Sequence, residues 1–323
     1  MRYFLGVDVG SSKTHALIAD ETGRCVGWGR VGAGNPQGVG YDGLTAVLHE
    51  VLAEARHRAG IELKDIAGAG FGVAGYDFPS DREPHLRTLA TLRLECPIEV
   101  VNDGVNGLLA GATRGIGVNV TAGSSNNCRG RNAAGKEGRI VGNGTRFGEF
   151  GGAAEIVHRA LHMVNYAWIR RRPPTALTEV FLRETNATDE MDLMEGLSNA
   201  CYRLPSALAV EVIRAAQAGD AAAHDVLRWA GEELGWLAVA VARQIDLQDE
   251  AVEIIQSGSV FEAGELLTTP MTAVVLAHCP RAQLMRLDGP PVVGAVILGM
   301  EQASADGYAV RAELVRTAKD LLR

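Results

Sequence analysis

Two aspartates stand in the sequence where a carboxylate could take part in chemistry. Asp8 interrupts the apolar run Phe4–Val9, and burying a carboxylate is unfavourable unless it is paired or binds a metal ion. Mg²⁺ suits such a position because it keeps most of its waters and binds one or two carboxylates together with phosphate oxygens. Asp103 follows the strand predicted at 98–101, where its carboxylate could accept the proton of a hydroxyl that attacks phosphorus. Together the two residues indicate phosphoryl transfer, which depends on positioning, charge neutralisation and one such base.

Each aspartate also has an ordinary structural alternative. Asp side chains commonly accept hydrogen bonds from turn amides, and this role would suit Asp8. Asp is also a favoured residue at the start of a helix, and a helix is predicted at 104–112, directly after Asp103. The residues alone leave both alternatives open.

Three turns rich in glycine and serine lie at predicted strand ends, and they read Gly10-Ser11-Ser12, Gly123-Ser124-Ser125 and Ser257-Gly258-Ser259. Glycine lets backbone amides approach phosphate oxygens, and serine hydroxyls add further donors. The first turn runs into Lys13 and Thr14, but its spacing departs from the G-x-x-x-x-G-K-[ST] phosphate loop, and a strand follows instead of a helix. One such turn is weak evidence, because glycine and serine occur in ordinary hairpins. Two of them facing each other from separate domains could hold a polyphosphate.

The elements that must position these residues occur twice along the chain. Each half begins with a strand, a Gly/Ser turn, a strand, a turn and a strand, and then alternates strands with helices. Alternation of this kind predicts an α/β fold in which the faces of each sheet are covered. Its repetition predicts two similar domains that face each other across a cleft, a common place for a ligand.

Two segments carry clear local signals. Apolar residues at three- and four-residue steps between Leu44 and Ala55 predict an amphipathic helix, and Gly60 is expected to end it. The run 66–75, which reads IAGAGFGVAG, predicts a buried strand of small residues that lets another element approach closely. Helices are expected to dominate from about 152 to 245.

Composition excludes several classes of protein. The 323 residues are 47% hydrophobic and 22% charged, which is ordinary for a soluble globular chain long enough for two domains. A formal net charge of −8 and the lack of a long basic stretch argue against a nucleic-acid partner. The five cysteines are scattered and never spaced C-x-x-C, which argues against a disulfide framework and favours a reducing cytoplasm. No apolar run approaches the ~20 residues of a membrane span, so we predict a cytoplasmic protein without membrane association.

Six segments, in order along the chain, are similar to the successive motifs of a known family. They read GVDVGSSKTHALI, VVNDGVNGLLAGA, VNVTAGSSNNCRG, GNGTRFGEFGG, IIQSGSVF and PPVVGAVILGM. The pattern resembles the BadF/BadG/BcrA/BcrD ATPase-like family, and within it most the N-acetylglucosamine kinase branch, over about residues 3–303. The resemblance implies the fold of the sugar kinase/Hsp70/actin superfamily, in which two RNase-H-like domains with mixed sheets close over ATP. We expect a first domain of 1–113 with a C-terminal helix at about 304–323, and a second of 114–303 with a helical insertion.

The resemblance also implies roles for individual residues. Asp103 is implied as the base that activates the 6-hydroxyl of an amino sugar, most similarly N-acetylglucosamine, and Asp8 as a residue that binds hydrated Mg²⁺. The phosphates and adenosine of ATP are implied to bind at the three turns, through Gly10, Ser11, Ser12, Lys13, Thr14, Gly123, Ser124 and Gly258. Sugar contacts are implied for Asn35, Asp103, Asn127 and Glu149.

The acceptor stays open, because three motifs depart from the usual pattern of the kinase branch. Ala-Gly-Ser-Ser stands at 122–125 instead of Gly-Thr-Gly-Ser, Ser-Gly-Ser at 257–259 instead of Gly-Gly, and Gly-Glu-Phe-Gly-Gly at 148–152 instead of Gly-Asp-Glu-Gly-Ser. Glucosamine, N-acetylmuramate and glucose are therefore alternative acceptors, and a homodimer through the helical half is equally open.

A second function class is a non-kinase ATPase that switches a partner, as the dehydratase activators of the wider family do. Those activators share an iron–sulfur cluster across a dimer through cysteines. No cysteine pair here has suitable spacing, so the sequence favours the kinase.

Overall fold

The computed structural model describes residues 1–322, which form two five-stranded sheets and eleven α-helices. The strands of the first sheet are β1 Tyr3–Val9, β2 Thr14–Asp20, β3 Cys25–Val31, β4 Ile66–Val73 and β5 Ile98–Val101. Those of the second sheet are β6 Gly117–Ala122, β7 Asn126–Arg131, β8 Glu137–Arg139, β9 Glu253–Ser257 and β10 Gln283–Arg286.

Both sheets have the same topology, so the predicted doubling is confirmed. The strand order is β3-β2-β1-β4-β5 in the first sheet and β8-β7-β6-β9-β10 in the second. In each sheet the first three strands are antiparallel, and two later strands run parallel to the first one. The reason is that a tight turn can join antiparallel neighbours, whereas parallel neighbours need a longer crossover, usually a helix.

Helices cover the sheets and form the crossovers. They are α1 Pro36–Ala59, α2 Arg82–Ala90, α3 Asp103–Gly111, α4 Ala153–Trp168, α5 Leu177–Thr185, α6 Glu190–Ser198, α7 Ala209–Gln217, α8 Ala221–Gln244, α9 Glu265–His278, α10 Val292–Gln302 and α11 Arg311–Leu321. The apolar stripe of α1 packs on the first sheet through Leu44, Leu48 and Val51. Gly60 follows the helix in the left-handed conformation, at φ 67°, and ends it as predicted.

The helix α10 returns to the first sheet, where it crosses β1 and β4 at glycines. A Cβ on Gly6 would lie 2.3 Å from the amide nitrogen of Val296, and a Cβ on Gly70 would lie 2.2 Å from the carbonyl oxygen of Ala295. The small residues of β4 therefore permit a close approach, as predicted, and α10 is the approaching element. The predicted boundary at 303 groups α10 with the second domain, although α10 packs on the first sheet. The domain boundaries themselves stay a prediction.

We call the first sheet with α1, α2, α10 and α11 the first lobe, and the second sheet with α4–α9 the second lobe. The helix α3 lies between them, since it packs against α10 and also against β6 and β7. The helices α4–α9 bury the largest hydrophobic cluster of the chain against the second sheet. Within residues 1–322, no helix combines the length and apolarity needed to cross a membrane.

Candidate active site in the interlobe cleft

A cavity of about 370 Å³ lies between the lobes, at the N-terminus of α3. It brings together seven of the residues with a predicted role, Ser11, Ser12, Asn35, Asp103, Gly123, Ser124 and Asn127. The six other such residues lie outside this lining, namely Asp8, Gly10, Lys13, Thr14, Glu149 and Gly258. The cleft is therefore formed by the turns and strand ends of both lobes, as the doubled pattern predicts.

Asp103 enters the cleft from the first position of α3. Asn102, and not Asp103, is the N-cap of this helix, because its Oδ1 accepts the Gly104 amide proton at 2.9 Å. The Oδ1 of Asp103 accepts from the Gly104 amide at 3.0 Å and lies 3.5 Å from the Asn127 Nδ2. Among residues 1–322 the other carboxylate oxygen makes no hydrogen bond, so it is available to a substrate hydroxyl.

Burial raises the pKa of Asp103 to about 7. The nearby carboxylates of Asp8 and Asp77 also raise it, while the Arg129 guanidinium and the Gly104 amide lower it. A carboxyl group with this pKa is a stronger base than an ordinary aspartate, yet it is still ionised in part at neutral pH. The cleft therefore contains a group suited to remove a proton from an alcohol.

The first Gly/Ser turn is a tight hairpin turn between β1 and β2. The Gly10 amide donates to the Lys13 carbonyl at 3.0 Å, and this bond leaves Ser11 and Ser12 exposed at the cleft. Asn35 supports the turn, because its Nδ2 donates to the Ser11 Oγ at 3.0 Å. The turn presents two hydroxyl groups to the cavity.

The second Gly/Ser turn lies across the cleft, on the other lobe. The Gly123 amide donates to the Ser125 carbonyl at 2.9 Å, and the amides of Ala153 and Ala154 donate to the carbonyls of Gly123 and Ser124. The turn is thus held against the first residues of α4, and the positive end of this helix dipole lies beside it. Two hydroxyl-bearing turns on opposite walls can hold a polyphosphate between them.

A second cavity, of about 330 Å³, begins at Gly123 and extends into the second lobe. Its other walls are the turn after β9 and the helix α7. Gly258 begins this turn at φ 98°, and a Cβ on it would lie 2.2 Å from the Ala122 carbonyl oxygen, so only glycine fits there. A cavity with both apolar and polar side chains in its walls, which opens onto the second Gly/Ser turn, suits a nucleoside. The sequence indicated the turn but not α7, because that helix carries no motif.

Comparison with known proteins agrees with this geometry. The sequence profile of the BadF/BadG/BcrA/BcrD ATPase family matches residues 5–299. This chain belongs to that ATPase family. The family prediction from the six motifs is thereby confirmed, and with it the use of ATP.

Two curated relatives match this ATPase along most of its length. The N-acetylmuramic acid/N-acetylglucosamine kinase of Clostridium acetobutylicum is 24% identical over 304 residues, 94% of this chain and 99% of that protein. The N-acetyl-D-glucosamine kinase of Dictyostelium discoideum is 24% identical over 311 residues, 92% of this chain and 97% of that protein. A crystal structure of a proposed N-acetylglucosamine kinase from Chromobacterium violaceum superposes with a TM-score of 0.71 at 23% identity, covering 92% and 99% of the two chains. This likeness confirms the predicted fold class, two RNase-H-like domains of the actin-like ATPase type.

The carboxylate with a predicted metal role is that of Asp8, near the end of β1. Asp8 accepts from the Asn106 Nδ2 at 2.8 Å instead of from a turn amide, and burial raises its pKa to about 6. The Oδ1 of Asn106 is buried without a hydrogen-bond partner. Among residues 1–322 no three His, Cys, Asp or Glu side chains form a metal site of their own. One carboxylate with an unpartnered amide oxygen beside it fits Mg²⁺ held mainly through its waters.

Two of the residues with an implied sugar contact also have a structural role. Asn35 is the N-cap of α1, since its Oδ1 accepts the Gln37 amide proton at 2.9 Å. The carboxylate of Glu149 accepts three backbone amide protons of one loop, at 2.7, 2.8 and 3.0 Å, from Val141, Gly142 and Asn143. Because Gly142 lines the cleft, the hydrogen bonds of Glu149 hold this part of the cleft wall in place.

Lys13 and Thr14 follow the first turn but do not reach the cavity. Lys13 is exposed, and its positive charge lowers the pKa of Asp8. Thr14 is buried in β2, and its Oγ1 packs close to Gly34.

The sequence analysis missed three polar residues beside Asp103, namely Asp77, Asn102 and Arg129. The buried Arg129 pairs with Asp77 across the lobes, with Nη2 and Oδ1 at 2.8 Å. A signal for Asp77 was present, because it follows β4 as Asp103 follows β5, and neighbouring parallel strands end at the same edge of a sheet. Arg129 gave no such signal, since a buried arginine in a strand looks like any other arginine in the sequence.

Proposed function

We propose that this protein is an ATP-dependent kinase that phosphorylates the 6-hydroxyl of an amino sugar, N-acetylglucosamine in the first place. One observation supports this above the others: Asp103, with a pKa of about 7, lies in the cleft between two Gly/Ser turns from opposite lobes. Phosphoryl transfer needs a positioned base and groups that hold the phosphates, and residues suited to both roles line one cavity.

The relatives support an amino sugar as the acceptor. By their names, both curated kinases act on N-acetylglucosamine, and the one from Clostridium acetobutylicum also acts on N-acetylmuramic acid. The matched regions cover 94% and 92% of this chain, so they include both lobes of the cleft.

In this proposal the side chains and turns of the cleft bind and orient both substrates. The two Gly/Ser turns hold the phosphates of ATP, and the cavity at Gly258 holds the adenosine. Asn35 and Asn127 orient the sugar, and Asp103 accepts the proton of its hydroxyl through the oxygen that has no other partner. Closure of the lobes would exclude water, which would otherwise compete with the sugar as the attacking nucleophile.

Magnesium fits beside the first phosphate turn. Asp8 and Asn106 would hold hydrated Mg²⁺, which when bound supplies positive charge that neutralises phosphate oxygens. Lys13 adds a second positive charge beside Asp8.

The direct test is phosphorylation of a panel of acceptors with ATP and Mg²⁺. We expect the highest kcat/KM for N-acetylglucosamine among N-acetylglucosamine, glucosamine, N-acetylmuramate and glucose. ADP release should equal the sugar phosphate formed, with the phosphate on the 6-oxygen in the NMR spectrum. The 6-deoxy analogue of N-acetylglucosamine is the matched control and should not stimulate ADP release. If no sugar stimulates ADP release, the proposal fails, and steady ATP turnover without an acceptor would favour the non-kinase ATPase.

The reaction should slow down in acid, because Asp103 must be ionised to accept a proton. With a pKa of about 7, kcat/KM for the sugar should be level at alkaline pH and fall about tenfold per unit below about pH 6. The measurement is kcat/KM from about pH 5 to 9 at saturating ATP, with circular dichroism at each pH as the control for folding. An acid limb centred near pH 4, the range of an ordinary aspartate, would contradict this assignment.

A further inference from the structure

Four side chains beside Asp103 form a closed ring of hydrogen bonds that spans the two lobes. Arg129 donates from Nη2 to the Asp77 Oδ1 at 2.8 Å and from Nε to the Asn127 Oδ1 at 3.2 Å. Asn127 donates from Nδ2 to the Asn102 Oδ1 at 2.8 Å. Asn102 completes the ring, because its Nδ2 donates to the Asp77 Oδ1 at 3.1 Å. Asp77 and Asn102 follow strands of the first sheet, and Asn127 and Arg129 lie on β7.

The hydrogen bonds of the ring can run in only one donor-to-acceptor direction, because two of its members are charged. A guanidinium can only donate and an ionised carboxylate can only accept. The ring therefore contains two paths of donated hydrogen bonds from Arg129 to Asp77, one direct and one through Asn127 and Asn102. A flipped Asn127 amide would place its nitrogen against the Arg129 Nε, donor against donor. A flipped Asn102 amide would place its oxygen against the Asp77 carboxylate, acceptor against acceptor. The ion pair therefore holds both amides in one orientation.

This orientation directs the two amides at Asp103 and at the helix that carries it. The Nδ2 of Asn127 faces the Asp103 Oδ1 at 3.5 Å, where a donor favours the ionised carboxylate and an oxygen would repel it. The Oδ1 of Asn102 accepts the Gly104 amide proton at 2.9 Å, which begins α3. The ring thus determines which atom of Asn127 faces Asp103, and it also orients the Asn102 side chain that caps α3.

Burial makes the ion pair sensitive to the loss of either partner. The side chains of Arg129 and Asp77 are 5% and 17% exposed, and an unpaired charge at such a depth is strongly unfavourable. The Gln37 Nε2 donates to the other oxygen of Asp77 at 3.1 Å, and the Asp77 amide donates to the Asp81 Oδ2 at 2.9 Å. Asp77 is therefore held in the first lobe independently of Arg129.

We propose that Arg129 and Asp77 are positioning residues for phosphoryl transfer: their ion pair orients Asn127 and Asn102, and through them Asp103. The kinetic consequence rests on the proposed function, whereas the orientation of the amides does not. Because the ring has members from both lobes, it is complete only while the lobes stay together at this point.

The main test separates orientation from the mere loss of a buried ion pair. Arg129→Gln or Asp77→Asn alone leaves a buried charge without its partner, so each should lower the melting temperature as well as kcat. The double variant is electrically neutral, so its melting temperature should recover, but nothing then imposes a direction on the amides. Its kcat for the sugar should stay ~10–100-fold below that of the wild type, with KM for ATP unchanged.

A matched control lies on the same strand. Arg131 pairs with Glu301 of α10 at 3.0 Å, also across the lobes and partly buried, but outside the ring. The double variant Arg131→Gln/Glu301→Gln should keep kcat within about twofold, since a lost ion pair away from the base affects stability alone. If the ring double variant recovers kcat together with its melting temperature, or if the control loses kcat equally, the proposal is overturned.

Arg129→Lys tests whether the ring needs both hydrogen bonds that Arg129 donates, to Asp77 and to Asn127. Lysine keeps the positive charge, but its single ammonium group does not reproduce the planar fork that reaches Asp77 and Asn127 together. We expect kcat to stay ~10-fold or more below wild type in this variant. Full activity would show that charge alone suffices, which contradicts the proposal.

Side-chain amide protons report on the ring even if no sugar is phosphorylated. In ¹⁵N-labelled protein, the amide groups of Asn102 and Asn127 should exchange with water about tenfold more slowly in the wild type than in the ring double variant. Equal exchange rates would overturn the proposal whatever the activity. Slow exchange in a wild type without sugar kinase activity would refute the proposed function and leave the ring intact.

Discussion

Asp103→Asn should lower kcat for sugar phosphorylation by ~10²–10⁴-fold, the usual contribution of a general base, and leave the affinity for ATP unchanged. Asparagine keeps the size of the side chain but cannot take up the hydroxyl proton. The Gly/Ser turns and the cavity that we propose for the nucleoside do not depend on this side chain, so ATP should still bind. The measurements are single-turnover product formation at saturating ATP and titration calorimetry with ATP.

The same variant should also change the melting temperature of the protein, by an amount that depends on pH. Burial raises the pKa of Asp103 to about 7, so the ionised form is unfavourable in the folded state. The stability contributed by the protonated group is present below about pH 4 and is lost as the pH rises through about 7. Asparagine resembles the protonated form, so Asp103→Asn should raise the melting temperature at about pH 8 by a few degrees and change it little at about pH 4.

Asp189→Asn is the matched control for this substitution. Asp189 is the N-cap of α6, outside both cavities, and its side chain accepts the Asp192 amide proton at 2.9 Å. Asparagine is an equally good cap, so kcat and the melting temperature should stay at the wild-type values. Near-normal turnover of Asp103→Asn would mean that another group takes the proton.

Gly258→Ala should weaken ATP binding by ~100-fold and lower the free energy of unfolding by ~2–4 kcal/mol. The φ of Gly258 is 98°, and a Cβ would lie 2.2 Å from the carbonyl oxygen of Ala122 and 2.5 Å from its carbon. Ala122 directly precedes the Gly123 turn, so relief of the collision must move either the turn at Gly258 or the turn at Gly123. The proposal assigns the first of these turns to the nucleoside and the second to the phosphates. Titration calorimetry with ATP and urea unfolding measure the two effects.

Gly219→Ala separates the backbone strain from the collision. Gly219 has a similar φ of 94°, but a Cβ on it would meet no atom within 4 Å. This control should lower the free energy of unfolding by about 1 kcal/mol and leave the affinity for ATP unchanged. If both variants bind ATP equally well, the contact between Gly258 and Ala122 does not shape the nucleotide site.

Turn chemistry and periodicity determine much of this fold at short range. The turns at Gly10 and Gly123 each start a hairpin, and each hairpin starts a sheet of the same topology. The apolar spacing from Leu44 to Ala55 and the stop at Gly60 specify most of α1. Each of these signals involves residues that are close together in the sequence, so it specifies a local turn or helix without contacts from distant parts of the chain.

Part of the candidate site is also predictable, namely the part that ends strands or forms turns. Asp103, Ser11 and Ser124 could be assigned to one cleft because strand ends and turns of an α/β fold meet at one edge of the sheet. Glu149 shows where such reasoning stops. Its motif implied a sugar contact, which stays a prediction, but no motif indicated that its carboxylate accepts three amide protons of its own loop.

By itself, then, the sequence determined the two hairpin-led sheets, the family and the position of Asp103 at a strand end. Only the tertiary structure decided which distant residues meet: Asp77 with Arg129, 52 positions later, and the glycines of β1 and β4 with α10. The physical reason is range. Turn preference and periodicity arise between neighbours in the chain, whereas a buried ion pair or a close backbone contact exists only once the two lobes have packed together.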